Sequence, residues 1–464
     1  MTAIESFPYL VSIGLTFVLV AAVGISTGRR VKTVQDFSVG GNQASAAVVA
    51  GTIVGTLFGG GSTVGAAQMA FKVGLSGWWF ALGSGLGCLL LALFLARPLR
   101  QAGLETVTGY LGRVYGPQAA VYGVIFVSMG MFLNIIPQIL AATAMISSLL
   151  GISTAAGAVL AVTMVVAYVT SGGVWGAGRV GILKSFLLYL CLVVAGYWAY
   201  HLAGGLGSIR ASLPSYPYFS LFGRGLSKDL AAGFSVVVGV LSTQTYIQAI
   251  FSGRDVATSR RGALLSAVFM VPLGFAGILV GWYMKITQPT IDPAQAFPRF
   301  VLEHLNPWIG GVVLATLIIA VIGTAAGLTL GAATMLTTDV YAHLFRPGAT
   351  SRERLWVMRI IVAGITAFSA VFVAGNLSSM ILGWSFLSMA LRGATICFPL
   401  LAAIFFRGLV PPKAGVAAVV AAPLVVVLWS LLVPKGVDPL YPGLGVSMLV
   451  LAVGAAVGAR RGKG

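Results

Sequence analysis

The fold is decided by the stretch Gly55-Thr56-Leu57-Phe58-Gly59-Gly60-Gly61-Ser62-Thr63-Val64-Gly65, which interrupts an apolar segment running from about Ala46 to Gly74. No charged residue occurs from Phe37 to Phe71, so a bilayer would accept this segment. Three consecutive glycines at its centre disfavour a continuous helix. In lipid, unwound backbone is tolerated only where protein or a water-filled cavity surrounds it. We therefore expect a broken membrane helix whose carbonyls and helix ends face an ion or a solute.

The composition is that of an integral membrane protein. The chain has 464 residues, of which 58% are hydrophobic and 8% are charged, whereas a soluble domain has about 25% charged residues. Its net charge of +18 comes from cations that cluster in short loops. This pattern sets membrane topology and does not indicate a nucleic-acid partner. No acid pair, nucleophile–base set or metal-ligand spacing is evident among the apolar segments, so we do not expect an enzyme.

Thirteen apolar segments are long enough to cross a bilayer, which takes about 20 residues. They are predicted at 8–27, 46–73, 75–99, 117–149, 153–171, 177–203, 230–253, 260–286, 308–342, 355–375, 377–406, 412–433 and 441–459. Short connections join them, so we expect an all-α polytopic protein that forms one membrane domain over 1–464. The longest loops, at about 204–229 and 287–307, can each hold a short surface helix.

The positive charges predict the orientation of the chain. If the loop from Gly28 to Ser45 is cytoplasmic, 19 of the 28 Lys and Arg residues fall on the cytoplasmic side, seven fall outside and two lie within spans. Cytoplasmic loops carry an excess of Lys and Arg. The count predicts a multi-pass protein of the plasma (inner) membrane with its N-terminus outside and its C-terminus in the cytoplasm.

A second disturbed span lies five spans after the first. Residues Ser242-Thr243-Gln244-Thr245-Tyr246-Ile247-Gln248 place six polar or amphipathic side chains inside the segment 230–253. Two sets of five spans would have opposite orientations, as in transporters built from inverted repeats with a midplane site. We predict a first repeat at 46–203, a second at 230–406, one extra helix before the core at 8–27, and two helices after it at 412–459.

Four sequence elements give the chain a resemblance to a known family. They are Asp36-Phe37-Ser38-Val39-Gly40-Gly41, Ser171-Gly172-Gly173-Val174-Trp175, Tyr246-Ile247-Gln248 followed by Arg254, and the stretch from Leu328 to Thr337-Thr338-Asp339-Val340-Tyr341. In their order and spacing the chain resembles the sodium:solute symporter family over nearly its whole length. The resemblance implies a LeuT-type five-plus-five inverted repeat and uptake of a small organic solute by secondary active transport coupled to Na⁺.

The resemblance also implies a sodium site. In this chain the matching positions are the carbonyls of Gly55 and Phe58 at the first break, together with Ala320, Gly323 and Thr324 on the ninth span. Carbonyl and hydroxyl oxygens suit a hard cation. Gly323 stands where the family usually has serine, so one oxygen ligand is lost.

Lys184 is a second departure from the family pattern. It stands where glutamine is usual, three residues after Gly181, where many members carry aspartate. Three interpretations stay open. Lys184 can snorkel to the nearby cytoplasmic end of its span, it can make a structural contact, or its ammonium can have a coupling role in place of the cation. In that last case transport would be proton-linked or uncoupled, because a buried lysine can exchange its proton near neutral pH.

Arg392 lies near the middle of the span 377–406. A charge at that depth costs about 2.5–3.5 kcal/mol on insertion scales and should face a cavity or a partner. No carboxylate of the chain lies centrally in a span. The partner is therefore backbone carbonyls, water or the carboxylate of a solute, and the last of these favours a small carboxylate or other anion as substrate.

The solute site should be lined from the two breaks and from spans three, four and eleven. The candidates with a polar or aromatic side chain are Ser62, Thr63, Gln68, Asn134, Gln138, Thr243, Gln244, Tyr246, Trp384, Phe386 and Arg392. Tyr246, Trp384 and Phe386 could gate the site. We expect no soluble partner beyond the bilayer and the solute. The alternatives to a sodium-coupled transporter are a proton-coupled or uncoupled transporter of the same fold and a solute-sensing membrane domain.

Overall fold

The structure is a computed structural model that describes residues 7–28, 43–104, 106–170, 179–433 and 437–461. Across these ranges the chain is helical, and its extended pairing is a bridge between Ala44 and Gly253. The resemblance elements at 36–41 and 171–175 lie outside the described residues. The predicted all-α class is confirmed.

Twenty α-helices follow one another in the described ranges. They are α1 Phe7–Gly28, α2 Ala46–Leu57, α3 Val64–Val73, α4 Trp79–Leu90, α5 Ala96–Ala102, α6 Val107–Tyr115, α7 Pro117–Leu150, α8 Thr154–Thr170, α9 Arg179–Leu202, α10 Gly205–Ser212, α11 Ser215–Tyr218, α12 Leu226–Val240, α13 Gln244–Ser252, α14 Val256–Thr287, α15 Ala296–His304, α16 Pro307–Met335, α17 Ser351–Ala374, α18 Ile381–Phe405, α19 Pro412–Leu432 and α20 Leu440–Arg461. The π-helical segments Leu91–Leu95 and Leu336–Phe345 extend α4 and α16.

Many of these helices are long and apolar enough to cross a membrane. Within the described ranges nine helical stretches pass this test, and α12 with α13 makes a tenth as a pair bent by 41°. Each of the thirteen predicted spans coincides with a helix or a helix pair. The multi-pass architecture is thus confirmed, whereas the number of crossings and the boundaries of the repeats stay predictions.

The chain turns sharply between α3 and α4 at Gly74. This residue has a φ of 66°, and a Cβ atom there would lie 2.1 Å from the Tyr218 carbonyl oxygen. A Cβ atom on Gly77 would lie 3.0 Å from the carbonyl oxygen of Ala66. Ala66 is 11 residues earlier and would be far away along a straight helix. Spans two and three are therefore separate helices, although their combined sequence is apolar throughout.

The long helix α7 lies at the centre of the molecule, where it packs against α16 and α18. On another side α14 packs against α2, α3 and α4, and α9 packs against α2 and α16. Both predicted breaks are consequently enclosed by helices.

The two long loops contain the short helices that the sequence allows. Helices α10 and α11 lie within 204–229, and α15 lies within 287–307. Helix α6 was not predicted, because it is too short for a span. Its start is capped locally by Thr106, whose hydroxyl oxygen accepts from the Gly109 amide at 3.0 Å.

Candidate functional site

The first break runs from Phe58 to Thr63, between α2 and α3, as the glycine run predicts. The Gly59 amide would bond to the Gly55 carbonyl in a continuous helix, but it instead donates to Ser62 Oγ at 3.1 Å. The Thr63 hydroxyl donates to the Gly59 carbonyl at 2.8 Å. Ser62 and Thr63, predicted to contact solute, thus also hold the broken backbone. The diverted Gly59 amide leaves the Gly55 carbonyl open to another donor.

The three glycines of the break allow neighbouring helices to approach closely. A Cβ atom would lie 2.3 Å from Gln138 Oε1 at Gly59, and 2.3 Å from the Ala141 Cβ at Gly60. The Gly60 amide donates to Gln138 Oε1 at 2.7 Å. The predicted site residue Gln138 on α7 therefore binds the exposed backbone of the break. Small residues at such contacts are a common feature of membrane helix packing.

The second break lies between α12 and α13, at the start of the polar run. Helix α12 ends at Val240 and α13 begins at Gln244, so only 241–243 are unwound. The hydroxyl of Thr243 donates to the Gly239 carbonyl at 2.6 Å. The amide of Ile247 donates to the Thr243 carbonyl at 3.2 Å and restarts the helix. The disturbed span is therefore bent by 41° at this point, whereas Gln244 to Gln248 of the polar run are helical.

One face of α18 connects the two breaks. A Cβ atom on Gly61 would lie 2.3 Å from Ser385 Oγ, which places Ser385 against the first break. Ser388 and Arg392 follow on the same face. Arg392 is seven residues from Ser385, about 10 Å along the axis at a rise of about 1.5 Å per residue. Its Nη1 atom donates to Thr243 Oγ1 of the second break at 2.9 Å.

Arg392 is completely buried. Besides Thr243, its guanidinium donates to the Ser388 carbonyl at 3.2 Å, to Ser388 Oγ at 3.0 Å and to Met389 Sδ at 3.3 Å. The Tyr246 hydroxyl interacts with the same guanidinium. All of these partners are uncharged. Among the residues that the structure describes, the ion pairs lie elsewhere and leave the charge of Arg392 without a carboxylate.

Gly130 makes room for this arginine and is a site residue that sequence reasoning missed. A Cβ atom there would lie 2.5 Å from Arg392 Cγ, and its carbonyl accepts a hydrogen bond from Ser388 Oγ at 2.5 Å. With 61 glycines in the chain, no sequence signal distinguishes this one from the others.

The Lys184 side chain is directed to the edge of the first break and not to the nearby end of its span. Its Nζ atom donates to the Gly55 carbonyl at 2.8 Å and to Thr324 Oγ1 at 3.0 Å. The snorkelling interpretation is therefore wrong. Helix α9 can place the ammonium there because Gly51 of α2 allows α9 to pack closely against α2. The Cγ1 atom of Ile182 would be only 2.9 Å from a Cβ atom at that position.

Two of the five predicted sodium ligands contact this ammonium, and two more lie beside them. Gly55 and Thr324 bind it directly, and Thr324 Oγ1 in turn donates to the Ala320 carbonyl at 2.8 Å. A Cβ atom on Gly323 would lie 3.7 Å from Lys184 Nζ. Phe58, the fifth, is fully buried and is the first residue of the break. A sodium ion does not fit between these oxygens as they are arranged, because the ammonium already occupies the position that they define.

Gln68 and Trp384 lie together at the start of α18, away from Arg392. The Gln68 amide group donates to the Ser379 carbonyl at 3.3 Å and accepts from the Ile381 amide at 2.8 Å. Trp384 Nε1 donates to Ser379 Oγ at 2.9 Å. We call Gln68, Ser379 and Ile381 the α3–α18 latch, because they tie the second half of the broken span to α18.

The remaining candidates divide between the site and its surroundings. Phe386 packs against Phe80, with ring centroids 6.0 Å apart, and lies under the Arg224 guanidinium at 5.4 Å. Asn134 is buried on α7, one turn before Gln138. Gln244 instead accepts a hydrogen bond from the Val107 amide at 2.9 Å, which supports the start of α6.

The fold and the site together define a helical membrane protein built around two broken spans. The profile of the sodium:solute symporter family matches residues 37–410. The chain therefore belongs to the sodium:solute symporter family, and the predicted membership is confirmed.

Similar proteins are transporters and not enzymes, as expected. The chain is 24% identical over 452 residues to the high-affinity proline transporter PutP of Bacillus subtilis, covering 92% of this chain and 93% of that one. It is 24% identical over 426 residues to the human high affinity choline transporter 1, covering 86% and 73%. The structure of a Na⁺-coupled sialic acid symporter in a substrate-bound outward-open state matches with a TM-score of 0.79 at 14% identity, over 98% of both chains. This likeness shows the LeuT-like fold.

Proposed function

We propose that this protein is a secondary active transporter that carries a small, carboxylate-bearing solute across the membrane by alternating access. The observation that carries the proposal is the guanidinium of Arg392, which is fully buried between the two breaks and surrounded by uncharged partners.

The electrostatics of the site favour an anionic group. A charge at the centre of a span costs about 2.5–3.5 kcal/mol on insertion scales, so an arginine without a counter-charge needs a compensating role. The Lys184 ammonium adds a second positive charge at the first break. A carboxylate is the natural ligand here, because its two oxygens match the planar fork of a guanidinium.

The relatives agree with this solute class in part. Proline carries a carboxylate, and so does sialic acid, the solutes named for two of the similar proteins. Choline, named for another relative, is a cation. Two positive side chains near the breaks would repel it, so we expect an acid or an amino acid instead.

Alternating access gives the solute a route to a buried arginine. Thr243 and Ser388 hold the guanidinium through hydroxyl groups, and hydroxyl groups can exchange one hydrogen-bond partner for another. When the site opens, the solute carboxylate would take over some of these bonds. Binding then shifts the population of states toward the one that accommodates the solute.

Uptake into proteoliposomes tests the proposal. The panel contains proline, other amino acids and small monocarboxylates, with choline as the cationic comparison. We expect uptake of at least one carboxylate, inhibited by other carboxylates and not by choline. For that solute Arg392→Gln should raise the apparent KM by about 10–100-fold, because a hydrogen bond to a charged group contributes about 1.5–3 kcal/mol.

Arg359→Gln is the matched control, because Arg359 is also an arginine of a predicted span but lies exposed over the ring of Trp356 at 5.8 Å. It should leave the KM unchanged. Uptake of choline with no carboxylate uptake would contradict the proposal. An unchanged KM in a folded Arg392→Gln variant would show that Arg392 does not bind the solute and only connects α18 to the second break.

A further inference from the structure

The Lys184 ammonium takes the place of a cation ligated by oxygen atoms. It donates to one main-chain carbonyl, that of Gly55 at 2.8 Å, and to one hydroxyl, that of Thr324 at 3.0 Å. These are atoms of the types that bind a hard metal cation. They come from the first break and from α16, the two elements that the family resemblance assigns to sodium.

The surrounding backbone is built to admit this side chain. The Gly55 carbonyl is open because the Gly59 amide donates to Ser62 Oγ. On α9 the next residue, Ser185, donates to the Gly51 carbonyl at 3.1 Å. Consecutive residues of α9 thus bind carbonyls one turn apart on α2, which fixes the lysine in register with the break.

Gly323 contributes the space. A Cβ atom there would approach Nζ to 3.7 Å, and outside the adjoining backbone of α16 no other heavy atom lies within 4 Å of it. A serine hydroxyl at this position would extend toward the ammonium. Glycine at 323 in place of serine and lysine at 184 in place of glutamine therefore affect the same small volume. The glycine leaves room for the ammonium, and the ammonium replaces the ion that the serine would help to bind.

We propose that the ammonium of Lys184 is the resident cation of this site and that the protein transports its solute without binding sodium there. The proposal rests on the proposed transport function and concerns its coupling. A sodium ion held by Gly55 and Thr324 would overlap with the position of the ammonium. Two like charges so close together repel strongly in a medium of low polarity. The tethered charge stays with the protein through the transport cycle, whereas a bound ion leaves with the solute.

Sodium binding can be measured without knowing the solute. The purified protein is heated in detergent while NaCl replaces KCl at constant ionic strength, and the unfolding midpoint is recorded. A ligand that binds only the folded state raises this midpoint. The variants are Lys184→Gln, the double variant Lys184→Gln with Gly323→Ser, and Lys72→Gln as a control at an exposed lysine of α3.

We expect no sodium-specific rise in the midpoint for the wild type or for Lys72→Gln. The double variant frees the two oxygens and adds a hydroxyl, so its midpoint should rise by several degrees as sodium replaces potassium, with a smaller rise for Lys184→Gln. A sodium-specific rise in the wild type that Thr324→Ala abolishes would overturn the proposal, and the wild-type result decides even if a variant does not fold. The absence of any sodium effect in a folded double variant would also count against it.

These results are independent of the identity of the solute. If no carboxylate is transported but the double variant gains sodium binding, the proposed solute class fails and the assignment of Lys184 stands. If carboxylate uptake is found and the wild type binds sodium through Thr324, the proposed solute class stands and the assignment of Lys184 fails.

Discussion

Gly60 shows at the scale of one residue why the first break cannot be judged from helix propensity alone. A Cβ atom there would lie 2.3 Å from the Ala141 Cβ and 2.9 Å from the Pro137 carbonyl oxygen. The backbone amide of the same residue donates to Gln138. The glycine is thus required for the approach of α7 as well as for the interruption of the helix.

We expect Gly60→Ala to destabilise the protein by about 1–3 kcal/mol, the usual cost of forcing an extra methyl group into a well-packed region. The measurement is the unfolding midpoint in detergent. Gly327→Ala on α16 is the matched control, because no heavy atom lies within 4 Å of a Cβ atom at that position. Equal midpoints for the two variants would contradict the packing described here.

Arg392 and Lys184 show which properties of a site residue can be predicted from the sequence and which cannot. Arg392 could be singled out because no span offers a central acid to pair with it, and the structure surrounds it with neutral groups. For Lys184 the sequence left three interpretations open. Its direction depends on how α9 is rotated against α2, and that rotation follows from the contact of Ile182 with Gly51, which no local pattern reveals.

At the scale of elements, α6 and α13 depend on each other through one side chain. Gln244 is the first residue of α13, and its Oε1 accepts from the Val107 amide at the first turn of α6 at 2.9 Å. An amide at a helix start has no partner within its own helix. The glutamine therefore has a capping role, although the sequence suggested a solute contact.

Gln244→Ala should lower the free energy of unfolding by about 1–3 kcal/mol, because it leaves the buried Val107 amide without this acceptor. Chemical denaturation of the detergent-solubilised protein measures the effect, with Gln288→Ala as the control, because the hydrogen bond from Gln288 to Glu303 is exposed. If the variant instead changes solute affinity as strongly as Arg392→Gln and leaves stability intact, Gln244 is a solute contact as the sequence predicted.

Broken spans are predictable as elements, but their limits are not. Consecutive glycines located the break between α2 and α3 correctly, because few other residues allow α7 to approach so closely. In the span 230–253 the polar run marked the break between α12 and α13, although Gln244 and Tyr246 within it remain helical and their side chains find partners on α6 and α18. Polarity inside a span indicates a buried partner, and only sometimes an unwound backbone.

At the scale of the whole molecule, ties hold the site on both sides of the breaks. The α3–α18 latch closes one side through Gln68. On the other side, the Ala44 amide donates to the Ser252 carbonyl at 3.0 Å, and the Arg254 amide donates to the Ala44 carbonyl at 3.2 Å. The start of α2 is thereby joined to the end of α13. In the proposed alternating-access cycle, these two ties would open in turn.

Gln68→Ala should favour the state that is open on the α3 side. In a Ser385→Cys background, we expect a membrane-impermeant maleimide to label Cys at 385 several-fold faster once Gln68 is replaced, because Ser385 lies directly below the latch against Gly61. The native cysteines Cys88, Cys191 and Cys397 are buried, so the parent protein provides the background rate. Equal labelling rates with and without Gln68 would show that the latch does not control access.

The coupling of transport depends on which cation occupies the site between the first break and α16. Family membership alone leads to sodium, whereas the geometry places the Lys184 ammonium on Gly55 and Thr324. The two differ in what drives transport. A tethered ammonium cannot be carried down a sodium gradient, whereas a bound sodium ion would be released with the solute.

The most direct test compares solute uptake into proteoliposomes with and without an inward sodium gradient, potassium replacing sodium at equal ionic strength. We predict equal initial rates for the wild type, and a rate that becomes several-fold faster with sodium once Lys184→Gln is combined with Gly323→Ser. A several-fold stimulation of the wild type by sodium that disappears in Thr324→Ala would contradict the account.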